Sequence, residues 1–497
     1  MRFPRINRSE RSAPSFYGPW LLAFALFLVY CADSLSRYYR ASPGSYDLGI
    51  FVEVVRDYAH FQAPIVNILA PGFDLLGDHF HPILAVLGPV FWLFPSPVTL
   101  LLAQAALFAV AAVPLVWLAR ERIGTGAAYA VGTAYGLSFG IAQAVDFDFH
   151  EIAFAVPLLA FALWALLTDH HKTLVVCCFL CLLVKEDLGL AFVLPIGIAA
   201  ILRGHVRLGA SVSAMGTAGS LIAIYWLIPH FNPQHVYTYW GKNNCVGTSS
   251  VTAGAATVSP GDPISCLWDS ATNTAGTKLE TVFLLLAVTA FVAARSPLAL
   301  LVVPNLGLRF ISTDTSFWGT AYHYNAELMP VLFIAAIDAI DRARRAEPFD
   351  EEAAPGRRLL WSRYVSRSMA RHGAVAMMAA SVAMIPQFAF GQFFNPSTFT
   401  FDPRTAELRH AVAAVPQNVT VEGTMNVLAP LAAKDDTYWI GNGGNPAVQY
   451  VVLDTVVSGF SGTISDPVQF VESRHPGVDY RVVWSDTSGI YVLEKAG

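Results

Sequence analysis

The stretch HFHPILAVLGPVFWLFPSP, His79 to Pro97, decides how the rest of the chain is threaded. Two histidines lead into an apolar run from Ile83 to Phe94. As a helix, those twelve residues reach about 18 Å, against about 30 Å for the hydrocarbon core of a bilayer. The run is too short to cross, and its aromatic residues Phe91, Trp92 and Phe94 suit the membrane interface.

That reading matters because the chain is built for a membrane. Of 497 residues, 55% are hydrophobic and only 13% charged; a soluble protein carries roughly twice that charged fraction. Charge-free apolar runs recur at Pro19–Cys31, Pro97–Ala119, Gly126–Val145, Ile152–Leu167, Leu208–Ile228 and Gly373–Phe390. The basic segment MRFPRINRSERSAPSFYG precedes a full apolar span without a small-residue cleavage signature, so it reads as a retained cytoplasmic tail. The formal net charge of -5 says little about partners, and no nucleic acid is expected among them.

Lys and Arg accumulate on the cytoplasmic side of short loops. Here they cluster at Arg2–Arg11, Arg120 and Arg122, Lys172, Arg203 and Arg207, Arg295, and Arg342–Arg371. Placing every cluster inside requires two spans between Arg11 and Arg122, and Pro19–Leu35 and Pro97–Ala119 supply them once Ile83–Phe94 is laid at the outer interface. The remaining spans then alternate to a count of about eleven. Domain expectations follow: a cytoplasmic tail over 1–18, a transmembrane domain over 19–392 with a long first outer loop at 36–96, and an extracytoplasmic domain over 393–497. In that last segment VTVEG, TYWI, VQYVVLD, YRVVW and IYVLEK read as strands and Pro403–Val415 as a helix, giving a small α/β domain. The fold class is therefore mostly α, a polytopic membrane protein with a small α/β extracytoplasmic C-terminal domain.

Cys31, Cys177, Cys178 and Cys181 lie in apolar runs and read as small hydrophobic residues. Cys245 and Cys266 bracket a polar loop that the threading puts outside, where a disulfide can form; two free thiols are the alternative.

Four outward-facing places carry ionisable residues at helix ends. They are SYDLGIF with Asp47, continuing to GDHFHP with His79 and His81; VDFDFHE with Asp146, Asp148, His150 and Glu151; LLVKEDLGL with Lys185, Glu186 and Asp187; and RFISTDTSFWGTAYHYNAEL with Arg309, Asp314, His323, Tyr324 and Glu327. The KED turn is the most telling, because both flanking apolar segments are short and the charges fall below the outer surface. Charge at that depth marks a functional path unless it pairs. The plainer readings are that Lys185 and Glu186 neutralise each other and that DFDFHE is solvated loop charge. The HxH pair at His79 and His81 is a weak metal signature, with interfacial polarity the simpler reading.

The order of SYDLGIF, DHFHPILAVLGPVFWLFPSPVTLLLAQ, FDFHEIAFAVPLLAFALWAL, LLVKEDLGL and AYHYNAELMPVLFIA resembles an uncharacterised polytopic membrane protein family, domain of unknown function 2079, related to the GT-C glycosyltransferases. The resemblance covers most of Tyr46–Ala339 and implies a GT-C-like fold acting outside the plasma membrane on a sugar carried by a polyprenyl phosphate. It makes Asp47 the candidate general base, although Leu48 and Gly49 follow where many relatives have a second acid. Lys185 and Arg309 become candidates for the donor phosphate. His79, His81, Asp146, Asp148, His150, Glu151, Glu186, Asp187, His323 and Tyr324 become substrate-binding candidates, with a divalent cation as an open alternative for His150, Glu151 and His323. The expected activity is transfer to a cell-envelope acceptor with inversion. A transporter or flippase of lipid-linked sugars is the rival, and a non-catalytic scaffold the third reading.

Overall fold

The computed structural model describes residues 17–40, 46–239, 272, 275–312, 314–345, 357–400, 402–456 and 464–497. Helices dominate it. Among the described residues, four helices are long and apolar enough to cross a membrane: Gly18–Tyr39, Pro97–Ile123, Val206–Phe231 and Ser366–Gln387. Ile152–Leu167, His171–Cys181, Gly189–Leu202 and Pro297–Phe310 are apolar but shorter. Eleven full-length crossings are thus not what the helices provide by length and composition. The Gly126–Val145 run is broken, with Thr125–Gly136 ending at Leu137 and Phe139–Asp146 starting after an extended Ser138.

Local signals place the helix ends. The Ser96 hydroxyl accepts from Val98 N, Pro97 fills the first turn, and the helix closes at Gly124, whose φ of 91° favours glycine. The bundle is centred on Leu328–Arg345, whose residues from Leu328 to Ile337 are all buried. The opening stretch forms two short turns of helix over Pro82–Leu93. Leu84 and Phe91 are buried beneath it, while Val86, Trp92 and Phe94 are more than half exposed, the one-sided pattern of an interfacial helix. Ile83 N donates to Leu183 O at 3.0 Å and ties it to the turn bearing Lys185.

Two wider, π-type turns interrupt otherwise regular helices, at Gly189–Val193 and Ala223–Leu227. Such bulges re-aim side chains and recur at functional sites; here Leu190 and Ile224 are turned into the wall of the main cavity. The helices carrying them approach closely through glycines. A Cβ on Gly197 would stand 2.6 Å from Ser213 N and 2.7 Å from Gly209 O, both backbone atoms that cannot rotate away.

The C-terminal residues form a five-stranded sheet in the order β2-β1-β3-β5-β4. Its strands are β1 Thr420–Gly423, β2 Asp436–Trp439, β3 Tyr450–Asp454, β4 Tyr480–Ser485 and β5 Ile490–Lys495. Each overlaps one of the five segments read as strands, β2 beginning one residue earlier and β4 ending one residue later, and the expected helix is Pro403–Ala414. β2, β1 and β3 run parallel, and β5 is antiparallel to β3 and β4. Both faces of the sheet are covered: Val421, Val452 and Val492 pack with Leu408, and Val451, Leu453 and Leu493 with Val471. Leu428, Ala429 and Ala432, in the helical turn after β1, instead join the core of the helical bundle. Cys31, Cys177, Cys178 and Cys181 are free and at least partly buried, whereas Cys245 and Cys266 lie outside the described residues.

Replacing Gly197 with Val is expected to lower stability in detergent by about 1–3 kcal/mol or more, as overpacking does. Gly276→Ala, with nothing within 4 Å of its Cβ position, is expected to leave the thermal midpoint unchanged. Equal midpoints for both variants would remove the close glycine contact as a constraint.

Candidate active site

The four sequence segments that carry charge at helix ends meet in one cavity of about 620 Å³. Tyr46, Asp47, Ile50 and Phe51 reach it from the helix Tyr46–Ala59, followed by Asp78, His79 and His81 from the connection after it. His150 and Glu151 come from the start of Ile152–Leu167, Lys185, Glu186 and Asp187 from the turn before Gly189, and Arg309, Asp314, His323, Tyr324 and Glu327 from the segment after Pro297. Apolar side chains such as Leu190, Ile224 and Leu308 form the rest of the wall.

Ion pairs between these segments hold the cavity together. Lys185 Nζ lies 2.9 Å from Glu151 Oε1. The neighbouring Glu186 turns the other way: its Oε1 is 2.7 Å from His79 Nδ1 and accepts from the Tyr237 hydroxyl at 3.0 Å, and its Oε2 accepts from Phe80 N at 3.2 Å. Lys185 and Glu186 therefore do not neutralise each other; each pairs with a different segment. Burial would raise the Glu186 pKa, but His79 and the hydrogen bonds outweigh it and hold the carboxyl at about 2. Burial alone would lower the His79 pKa, and the Glu186 charge reverses the sign and raises it.

His150 and His323 stack with centroids 3.8 Å apart, flanked by Phe147. His150 Nε2 is 3.6 Å from Asp47 Oδ2. The Nδ1 atoms of His81, His150 and His323 are buried without a hydrogen-bond partner. With the proton on Nε2, only a lone pair and not an N–H is left unmatched, which assigns that tautomer to the neutral rings. Burial lowers the His81 pKa to about 4 and holds that of His323 well below the usual imidazole range. Neutral imidazoles then serve as hydrogen-bonding groups rather than as fixed positive charge.

Three candidates are placed differently from expectation. Asp146 and Asp148 are outside the cavity wall. Asp146 Oδ1 accepts from Gln392 Nε2 at 3.0 Å, and Asp148 Oδ1 pairs with Arg37 at 2.9 Å, so both brace the end of the helix Gly18–Tyr39. Sequence proximity to His150 misleads here because the chain turns at Asp148, whose φ is 76°, and sends the side chains to opposite sides. Arg309 does reach the wall, but its guanidinium donates to Phe317 O, Tyr324 O, Gly319 O and Asn325 Oδ1. Four of its five donors are thereby occupied in bracing the loop that carries His323 and Tyr324.

Sequence reasoning passed over Tyr237, Tyr239 and Asp78. Tyr239 stacks over His79 at 4.2 Å and its hydroxyl lies 3.4 Å from Asp78 Oδ2. The signal available was the pair of tyrosines two residues apart in VYTY, which the folded chain brings together at a 3-10 turn over Thr238 and Tyr239. Among the described residues, the compact His/Asp group suited to an ion is Asp169, His171 and His205, at the opposite ends of the helices from the cavity. Lys172, Arg203 and Arg207 are its neighbours in the sequence, and no group of described cavity residues has three ligand atoms that close together.

The chain belongs to the family "Predicted membrane protein (DUF2079)", which matches residues 37–469. No curated protein matches it in sequence. Its fold is similar to that of ArnT from Cupriavidus metallidurans, a GT-C glycosyltransferase, in the crystal structure bound to undecaprenyl phosphate: TM-score 0.55 at 15% identity, covering 96% of this chain and 98% of that one. The apo structure of the same protein aligns at TM-score 0.51 and 13% identity, covering 97% and 98%. The chain is thus a membrane protein with the GT-C fold.

The pH dependence of the His79–Glu186 pair follows from its signs. Glu186, depressed from 4.5 to about 2, contributes stability above pH 4.5 that is lost as pH falls through 2. His79, raised above 6.5, contributes below pH 6.5 and loses that stability as pH rises through its folded value. The difference in thermal midpoint between the unaltered protein and Glu186→Gln is expected to peak between about pH 4.5 and 6.5 and to narrow in alkali. A difference independent of pH would mean that the contact is not ionic.

Proposed function

We propose that the chain is an integral membrane glycosyltransferase of the GT-C type, moving a sugar from a polyprenyl-phosphate donor to a cell-envelope glycan, lipid or protein on the outer face. The observation that carries this is the convergence of Asp47, His79, His150, Lys185 and Glu186, from separate segments, on one cavity with an apolar flank. ArnT in the same fold is bound to undecaprenyl phosphate. The short helices around the cavity belong to a bundle of about eleven crossings, with the N-terminus cytoplasmic and the C-terminal sheet outside.

In this reading Asp47 removes the proton from the acceptor hydroxyl as its oxygen attacks the anomeric carbon. The bond from that carbon to the phosphate oxygen breaks, and the phosphate leaves on the lipid with the electron pair. Lys185 Nζ and protonated His79 favour the charge that develops there. His150 and His323 orient sugar hydroxyls through Nε2–H. One displacement on a face opposite the leaving group inverts the anomeric centre. No step is assigned to a divalent cation, because the wall's imidazoles and carboxylates do not converge on a common point.

A flippase would need ionisable groups near the middle of its spans. Here they gather where helices end, which favours transfer over transport. The test is sugar transfer by purified protein from a panel of labelled polyprenyl-phosphate sugars. Asp47→Asn is expected to lower kcat at least 10²-fold, the scale of a lost general base, and Lys185→Met to lower it comparably. Transfer is expected to survive chelation by EDTA. Donor movement across liposomes without turnover would replace this reading with the flippase.

A further inference from the structure

We infer that the C-terminal sheet is part of the catalytic unit, and that Glu53 is the positioning residue through which the sheet holds the helix bearing Asp47. The inference rests on the transfer reading of the cavity. The helix Tyr46–Ala59 has two working faces. Asp47, Ile50 and Phe51 line the cavity. Gly49, Glu53 and Arg56, spaced four and three residues apart, form a stripe on the far side.

That stripe meets the sheet. Glu53 is fully buried, and its two oxygens serve different segments. Oε2 accepts from Ile68 N at 3.2 Å, and Oε1 from Thr437 N, in β2, at 3.4 Å. Arg56 donates to Ala432 O at 3.0 Å and also to Asp435 O. From the sheet side, Asn442 Nδ2 donates to Ile68 O at 2.8 Å and Leu69 O at 3.1 Å. Leu69 itself lines the cavity. A Cβ on Gly49 would stand 2.9 Å from Ile68 Cδ1 and 3.2 Å from Leu428 Cβ, so the helix and the turn after β1 are in close approach. Tyr46, beside Asp47, meets Trp439 at the end of β2 with ring centroids 5.1 Å apart.

None of these groups other than Leu69 and Tyr46 faces the cavity, and Glu53 acts only through the helix. Lys185 and Glu151 are held within the bundle, and Asp47 rides on a helix that packs on the bundle core through Ile50, Phe51 and Val54 and is gripped on its far side by the sheet. The separation of base and donor phosphate is then set by that clamp, and small misplacements of reacting groups cost large factors in rate.

The test uses the full chain carrying Glu53→Leu, Glu53→Gln or Asn442→Ala, measuring kcat and KM for sugar transfer together with amide hydrogen exchange over residues 46–59. Glu53→Leu is expected to lower kcat on the order of 10- to 100-fold with KM within about threefold, and Glu53→Gln, which keeps one acceptor oxygen for the two backbone N–H groups of Ile68 and Thr437, to recover part of the loss. Asn442→Ala, which leaves the bundle intact, is expected to lower kcat in the same sense and carries the test if Glu53→Leu does not fold. Exchange over 46–59 rises in each impaired variant. Unchanged kcat in folded Glu53→Leu and Asn442→Ala, or lost kcat with unchanged exchange over 46–59, overturns the inference. If the unaltered chain transfers no sugar from any donor, the transfer reading fails by itself. The exchange arm then still decides the clamp, which is overturned if protection of 46–59 is the same in all forms.

Discussion

The cost of holding charge at the ends of apolar helices organises this protein. Glu151 and Glu186 are nearly inaccessible to solvent, and each carboxylate is tolerated because a cation from another segment stands against it. Lys185 answers Glu151, and His79 answers Glu186. Because the partners come from different parts of the chain, satisfying the charges also assembles the site: the turn before Gly189 is bound to the start of Ile152–Leu167 on one side and to the connection carrying His79 on the other. Removing either partner would leave a buried charge without its counter-ion.

The surrounding packing gives those pairs a stable frame and an open flank. Glycines let the helices Gly189–Leu202 and Val206–Phe231 meet backbone to backbone, and the π-type turn in each turns an apolar residue into the cavity. Arg309 is spent on carbonyl groups and fixes the loop bearing His323 and Tyr324. The stacked His150 and His323 rings, each with a buried Nδ1 atom, add directional hydrogen-bonding groups. The result is a pocket lined by Lys185, His79 and Asp47, the last with its Oδ2 3.6 Å from His150 Nε2.

Much of this was legible from local pattern. The length of Ile83–Phe94 argued against a crossing, and in the folded chain it forms two short helical turns with one buried and one exposed side. The alternating β-branched and aromatic residues after Val419 read as strands and are strands. Charges at the ends of apolar runs singled out Asp47, His79, His150, Glu151, Lys185 and Glu186, all of which line the cavity. Local pattern failed where direction mattered. Asp146 and Asp148 share a turn with His150 yet point to Arg37 and Gln392, and Gly126–Val145 looks continuous but breaks before Ser138.

By itself, the sequence determined the membrane character, the mainly helical fold, the C-terminal strands and the residue types available for chemistry, because each follows from hydrophobicity, element length or turn propensity within a short window. Only the tertiary structure decided which charges pair, which face of each turn reaches the cavity, and that the C-terminal sheet grips the helix bearing Asp47. Glu53 and Thr437 are 384 residues apart, and nothing in either neighbourhood encodes the other. Such a contact is set by the packing of whole elements, in which buried polar groups must find partners wherever the chain brings them.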